Sequence, residues 1–486
     1  MAGELNRRSV LRGAVALGGA VAGGPILWQR PGFAAMRPSG IHLTYGADPR
    51  REMVVSWSTA ESVATPRLLL GDTQGGLSEV VDVESKPAPG VDAVQHHARL
   101  TNLDPGKTYF YRAAHDGGSS DELSFTTVGN QRRPVRFTAF GDQGTYQNRM
   151  APVVNTVASF DPDLHLHVGD LSYASDTGGI RAFEALWADD ERRYTPSEWD
   201  AWLAGLQPFA SRVPWMPVLG NHEMEVDGTE LGYASYFARF VPPDNGAGGP
   251  RGATWSLRIG NVAFIAPDSN DASAELPRNR DYLGGAQETW LEATLADYRS
   301  RPDVDWIVVG FHHCPYCSSS RHSSDGGVRD RWTPLFDRYQ VDLVINGHNH
   351  LYERTHPIRQ GNPTTEAPIG ATIDPEQAGT TYIVSGLSEE DERLPDFATA
   401  PVAGVTHYTG TDFGLRVPEV VTWSAVKDEL SPIVICAEAS PPDSGGTTTL
   451  TIRSVDAGDR RVVDELTLRR SHTPGARHSP DGKGPS

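Results

Sequence analysis

Apolar and polar positions alternate in short runs from about residue 40 to 130, and turn-forming residues separate the runs at close intervals. Met53–Ser58 and Lys107–Arg112 have the composition of strands, and Ser124–Thr127 closes the block before a polar linker, Gly129–Pro134. This pattern predicts an all-β unit over residues 40–130. From Val135 onward the period changes. Continuous apolar runs appear at Val135–Phe140, Leu164–Val168, Met216–Leu219, Val262–Ala266, Trp306–Val309 and Val341–Ile345, each ending in a glycine or a polar cluster. Helical patterns lie between several of them, notably Ala286–Tyr298 and the stretch around Trp332–Tyr339. Uninterrupted apolar strands alternating with helices predict an α/β domain over 134–471 whose sheets are covered on both faces. Within it, 359–379 and 388–430 are polar enough to be loop insertions, with Glu389–Glu392 a solvated acidic face. Strand signals return at Thr448–Ile452 and Val462–Leu468, assigned to the outer edge of this domain, and 472–486 has the composition of a disordered tail.

The two ends of the chain and its charge narrow the possible partners. Arg7-Arg8-Ser9-Val10-Leu11-Arg12 precedes an apolar, Gly/Ala-rich run from about Gly13 to Leu27, followed by a small-x-small site at Gly32-Phe33-Ala34. The run is too short for a stable membrane anchor, and the paired arginines give residues 1–35 the form of a twin-arginine export signal. The expected location is therefore secreted or cell-envelope. A formal net charge of −19 opposes nucleic acid or anionic membranes as general partners. Three cysteines, Cys314, Cys317 and Cys436, are too few for a disulfide framework in 486 residues. Cys314-Pro-Tyr-Cys317 lacks the βαβ context of a redox motif, so it is expected to shape a loop as a disulfide or a free pair.

The candidate chemistry sits where the apolar strands stop. In order the strand ends read Gly141-Asp142-Gln143-Gly144, Gly169-Asp170-Leu171-Ser172-Tyr173, Gly220-Asn221-His222-Glu223, His312-His313-Cys314-Pro315 and Gly347-His348-Asn349-His350. A Gly-Asp pair after one strand is ordinarily a turn. Five such cassettes carrying only carboxylates, imidazoles, a phenol and an amide are a metal-binding set, because the carboxyl ends of strands in an open α/β sheet converge on one crevice. These donors suit Fe, Zn or Mn. His348 and His350 are two apart, so an extended backbone sends both to one side. A carboxylate such as Asp170 has oxygens enough to bridge two ions at the ~3.5–4 Å spacing of two-metal hydrolases.

Motif by motif, the chain resembles the purple acid phosphatases: Asp142 in GDxG, Asp170 and Tyr173 in GDxxY, Asn221 and His222 in GNHE, His313 in HxP, and His348 and His350 in GHxH. The preceding β block resembles a fibronectin type III sandwich. The fold so implied is an N-terminal all-β sandwich followed by a four-layer α/β metallophosphoesterase domain, two central sheets flanked by helices. The resemblance implies that Asp142, Tyr173 and His350 bind Fe(III), that Asn221, His313 and His348 bind a divalent ion (Zn, Fe or Mn), and that Asp170 bridges them. Two carboxylates, a phenolate and a hydroxide against those ions leave the site at about +1, a local attractor for phosphate on an acidic protein. It further implies hydrolysis of small-molecule phosphate monoesters by a metal-bound hydroxide, with His222 and His322 contacting phosphate and protonating the leaving alkoxide. A phosphodiesterase or alkaline phosphatase of a neighbouring two-metal family is the alternative.

The chain departs from the plant members at the substrate mouth. Ser323 stands where they carry a second histidine after the position of His322, and the Cys314/Cys317 loop is unlike theirs. His312 is an alternative to His313 as ligand, although Pro315 two residues after His313 favours the latter. His165 and His167 alternate inside a strand, as core or supporting residues do. Tyr352-Glu353-Arg354 continues the GHxH run and is expected to support the site.

Overall fold

The computed structural model describes residues 37–145, 147–175, 194–225, 227, 229–275, 278–319, 322–387, 404–410 and 415–471. Residues 1–35, expected to form an export signal, the acidic run Glu389–Glu392 and the tail 472–486 lie outside the described residues.

The N-terminal unit is a sandwich. A four-stranded sheet runs Ser39–Tyr45, Met53–Thr59, Val94–Leu100, Glu84–Pro87, and a second sheet is built on Arg67–Gly71 and Thr108–His115. Leu68 and Leu70 alternate inward as a half-buried strand requires. Met53–Thr59, by contrast, is buried along its whole length. The α/β domain covers this part of the sheet: the Ile41 N–H donates to Gln207 Oε1 (3.1 Å), and His97 Nε2 lies 2.9 Å from the Ala238 carbonyl, while the outer strand Glu84–Pro87 stays largely exposed.

The second unit has two seven-stranded sheets. In one, Val135–Phe140, Leu164–His167 and Trp215–Pro217 are parallel neighbours, followed on the other side by Ile433–Ala439, Thr447–Asp456, Val462–Ser471 and Ala371–Ile373. In the other, Val262–Ala266, Trp306–Gly310, Leu343–Asn346 and Thr381–Ser385 form a parallel run. The sheets pack face to face, with Phe137 meeting Phe264 edge-on at 5.1 Å between ring centroids. Helices Gln147–Phe160 and Ser197–Ala210 join one hydrophobic cluster, and helix Ala286–Ser300 and helix Gly326–Arg338 pack into the other. The expected four layers are present, and burial on both faces explains why the parallel strands read as unbroken apolar runs.

The structure amends the two insertions. Residues 359–379 supply an edge strand, Ala371–Ile373, parallel to Val462–Ser471, so the latter is not the sheet's edge. Within 388–430, Ser424–Asp428 pairs with Tyr352–Thr355, while Val405–Thr409 pairs with Ser324–Asp325 and with Arg416–Val420. Both segments are polar because their strands lie at the periphery, where alternation fades.

Arg354 and Asp464 tie the two sheets together. Arg354 Nε and Nη2 donate to the two Asp464 oxygens (2.5 and 3.0 Å), and the Tyr352 hydroxyl adds a third bond (2.6 Å), all in a fully buried setting. Asp464→Ala would leave the guanidinium buried without its partner and should cost ~3–5 kcal/mol. Its urea midpoint should fall far below that of Glu465→Ala, which breaks only the exposed Arg453 pair. Equal midpoints for the two variants would refute this role for the pair.

Candidate functional site

The strand ends of both sheets meet in one place, and the backbone there is held in unusual conformations. Asp142, Asp170, Tyr173 and His348 have φ of 59°, 52°, 53° and 70°, the left-handed region that costs a non-glycine residue ~1–3 kcal/mol unless its surroundings compensate. The compensation is visible. Glu223, fully buried, accepts the backbone N–H groups of Asp170 (2.9 Å), Leu171 (2.8 Å) and Gly220 (2.7 Å), pinning two strand-end loops to each other. Burial and the neighbouring Asp170 push the Glu223 carboxyl up to about 8 despite those donors. The His348 N–H in turn donates to Asp142 (2.9 Å to Oδ2). Two motif glycines are required by proximity. A Cβ on Gly220 would lie 2.2 Å from Asp170 Oδ1, and one on Gly347 would lie 2.4 Å from Asp142 Oδ2.

These constraints gather two groups of donor atoms. In the first, Tyr173 Oη lies 2.9 Å from His350 Nε2 and 3.3 Å from Asp142 Oδ1, and the latter two are 3.4 Å apart. In the second, Asn221 Oδ1 lies 2.9 Å from both His312 Nε2 and His348 Nδ1. Asp170 Oδ2 is 3.1 Å from His312 Nε2, and the Asp170, His312 and His348 donors lie within 4.8 Å of one another. His312 Nε2 is also 4.0 Å from Asp142 Oδ1, so the groups adjoin. Donors ~3 Å apart are what neighbouring positions around one ion with ~2.1 Å bonds require.

The second group has a further property that points to a cation. His312 Nδ1 donates to the Val168 carbonyl (2.8 Å), which leaves the Nε2 lone pair of a neutral ring facing Asn221 Oδ1 and Asp170 Oδ2, both acceptors. His348 faces the same amide oxygen through Nδ1 while its Nε2 meets the Glu275 carboxylate at 3.0 Å. Acceptor set against acceptor is repulsive unless a positive charge lies between. Burial disfavours a charged His312, yet Asp170 and Asp142 override it and push its pKa up to about 10. Either a proton or a metal ion must fill that position, and the residues fit a metal.

Of the two neighbouring histidines, it is His312 whose Nε2 lies beside Asn221 Oδ1 and Asp170 Oδ2. Past the end of the strand Trp306–Gly310, Phe311 packs in the core against Trp332 (5.1 Å between centroids) and Phe336. His313 also borders the crevice, its ring 4.5 Å from that of His348; its Nδ1 lies 2.8 Å from Ser269 Oγ, and its buried Nε2 has no hydrogen-bond partner. The HxP spacing favours His313 and the distances to Asn221 and Asp170 favour His312, with both rings at the crevice.

The other expected residues divide clearly. The His222 ring packs tilted against Tyr173 (4.3 Å between centroids, 45° between planes), its backbone N–H donates to Asp170 Oδ1 (2.8 Å), and its Nδ1 lies 2.5 Å from the Ser175 carbonyl. His322 reaches the same crevice, its ring 4.2 Å from that of His348 and its Nδ1 3.2 Å from Glu275 Oε1. Glu275 was not found by sequence reading; it stands in a loop with no motif around it. His165 and His167 are core residues packed on Phe140 and Trp215, and burial holds His167 down to about 3. Cys314 and Cys317 are buried free thiols packed with Leu351 and Val384, and Cys314 donates to the Gly347 carbonyl (2.8 Å). Glu353 holds the same loop by accepting the Ser318 N–H (2.7 Å). Gly220→Ala should therefore displace Asp170 and lower bound metal to less than half of wild type, read by elemental analysis, with the far-ultraviolet dichroism preserved. Wild-type metal content in that variant would show that the close approach is dispensable.

Comparison with known proteins agrees with this architecture. Residues 38–127 match the family model of the purple acid phosphatase N-terminal domain, and residues 135–352 that of the calcineurin-like phosphoesterases. An uncharacterized protein of Mycobacterium tuberculosis is 33% identical over 92% of this chain and 90% of its own length. Purple acid phosphatase 23 of Arabidopsis thaliana is 30% identical over 63% of this chain and 65% of its own. Among solved structures, the purple acid phosphatase PPD1 of yellow lupin superposes with a TM-score of 0.68 at 21% identity, covering 93% of this chain and 77% of that one. PhoD superposes at 0.56 and 14% identity, covering 90% and 92%, so both likenesses speak for the fold. The two adjoining domain matches, in the order the sandwich and the layered unit occupy, place the chain in the purple acid phosphatase family, whose members are binuclear-metal phosphoesterases.

Proposed function

We propose that the chain is an exported phosphatase acting on monoesters, with Fe(III) held by Asp142, Tyr173 and His350, a divalent ion (Zn, Fe or Mn) held by Asn221, His312 and His348, and Asp170 shared between them. The observation that carries this reading is the set of ring nitrogens aimed at acceptor oxygens around Asp170, where cations are needed to make the geometry attractive. Bound there, such a pair of ions polarises a phosphoryl oxygen and lowers the pKa of water.

The chain's own residues supply the rest. His222, with Nδ1 engaged by the Ser175 carbonyl, keeps Nε2 for a phosphoryl oxygen, and its tilted contact with Tyr173 restrains the ring. His322, with Nδ1 on Glu275, keeps Nε2 for the leaving-group oxygen, where a proton is needed as the ester bond breaks. Both side chains are about one-sixth exposed (17% and 18%), enough to meet substrate and too little to be bathed in solvent. A monoester presents the dianionic phosphoryl group that suits a cationic centre on an otherwise acidic surface.

The central test compares p-nitrophenyl phosphate with its bis ester on protein of known metal content. The monoester should be preferred; a preference for the diester would overturn the monoester reading and favour the phosphodiesterase alternative. His312→Ala should lose the divalent ion while His313→Ala keeps it, and Tyr173→Phe should abolish a visible ferric–phenolate band. His322→Ala should lower kcat by ~10²–10⁴ on an alkyl phosphate and less on p-nitrophenyl phosphate, whose leaving group needs little protonation. A colourless, iron-replete, active wild type would refute the Tyr173 assignment.

Export by the twin-arginine route rests on the Arg7-Arg8 pair and the weak apolar run behind it. Among the described residues no helix is long and apolar enough to cross a membrane. Changing Arg7 and Arg8 together to Lys should leave folded precursor in the cytoplasm on cell fractionation; undiminished export would point to the general secretory route.

A further inference from the structure

Glu275 is unusual in serving two histidines that the proposed function gives different tasks. Its Oε2 lies 3.0 Å from His348 Nε2 and its Oε1 lies 3.2 Å from His322 Nδ1. The carboxylate is nearly buried, 12% exposed, and the two rings it holds stand 4.2 Å apart. A third charged group reaches it: Arg416, on the strand Arg416–Val420, brings a guanidinium nitrogen to 3.6 Å from Oε1.

Resting on the proposed function, we propose that Glu275 is a positioning residue whose single carboxylate fixes the tautomer of His348 and the orientation of His322, coupling divalent-ion binding to leaving-group protonation. The argument is one of donors and acceptors. A carboxylate only accepts, so each ring must present an N–H to it. His348 therefore carries its proton on Nε2 and turns the Nδ1 lone pair toward Asn221 and the ion position. His322 carries a proton on Nδ1 and turns Nε2 to the cleft. A metal-binding histidine whose remote nitrogen donates to a carboxylate is more basic and rotationally fixed. Here the same carboxylate also holds the proton-donating ring. Losing it frees both rings at once.

The same three residues could be read as a further metal site, since Glu275, His322 and His348 offer clustered donors. The tautomer argument speaks against that. An ion on His348 Nε2 would require lone pairs on both nitrogens of one imidazole, a doubly deprotonated ring.

The substitution that keeps volume is Glu275→Gln. An amide oxygen can accept from one ring while the amide nitrogen needs an acceptor, so one histidine must turn or switch tautomer. Glu275→Ala releases both. In metal-free protein labelled with ¹⁵N-histidine, wild type should show His348 protonated at Nε2, and both variants should show mixed or reversed tautomers at His348 or His322. Zn(II) titrated into the metal-free protein should bind its divalent position ~10–100-fold more weakly in Glu275→Ala. The loss of kcat should be greater on an alkyl phosphate than on p-nitrophenyl phosphate, and combining the variant with His322→Ala should add little on the alkyl substrate. Glu275→Gln, which preserves packing, keeps the test valid if Glu275→Ala is unstable. Unchanged tautomers together with unchanged Zn(II) affinity in Glu275→Gln would overturn the proposal, as would an extra equivalent of metal in wild type that disappears with Glu275. A wild type without bound metal or phosphatase activity would instead defeat the functional reading, whereas an active, metal-loaded wild type unaffected by Glu275→Gln would defeat this inference alone.

Discussion

The donor set is divided between two sheets, and its geometry depends on what locks the strand ends of one sheet to those of the other. Asp142 leaves the first sheet and accepts the backbone N–H of His348, which leaves the second. Beside it, the Gly141 N–H donates to the Ser385 carbonyl (2.9 Å), and the Leu387 N–H donates back to the Gly141 carbonyl (3.2 Å). Across the fold, the buried Arg354–Asp464 pair repeats the same linkage with charge. A slip of either sheet would break these contacts together. The left-handed conformations of Asp142, Asp170 and His348 persist because each is over-determined in this way.

That rigidity has an electrostatic purpose. Asp142, Asp170, Asn221 and the two imidazoles are gathered so that acceptor oxygens and ring nitrogens face one another. The folded chain stores this repulsion in advance, and a cation entering the crevice relieves it. Metal affinity and the stability of the site are then two descriptions of one free energy. The raised pKa of His312 has the same origin, since Asp170 and Asp142 favour positive charge at that position.

The layered fold and the two donor groups were legible because each strand end combines a period-breaking glycine with a chemically rare side chain. Asp142, Asp170, Tyr173, Asn221, His348 and His350 could be named from those cassettes, and the structure brings all six together. The choice between His312 and His313 was not legible. Both rings border His348, at 5.1 and 4.5 Å between centroids, and only distances to Asn221 and Asp170 set them apart. Glu275 was invisible for a related reason. Its partners are 47 and 73 residues away, and nothing in its own neighbourhood marks it. The strands in 388–430 were missed because peripheral strands carry little hydrophobic alternation to read.

The two halves of the crevice are therefore built on different principles. The metal side rests on strand ends buried between sheets. The side proposed for the leaving group rests on loops, and one residue organises them. Asp325 accepts from the Val328 N–H (2.9 Å), capping the helix Gly326–Arg338. It also accepts from the Ser273 hydroxyl (2.7 Å) and the Ala274 N–H (3.1 Å), which anchors the loop carrying Glu275 to the loop carrying His322. The strand pair Ser324–Asp325 and Val405–Thr409 then fastens the insertion to the same point. Sequence change in the insertion would reach the leaving-group pocket through Asp325 and Arg416 without disturbing Asp142, Asp170 or Asn221. A fold arranged this way can alter which ester it accepts while the centre that attacks phosphorus stays the same.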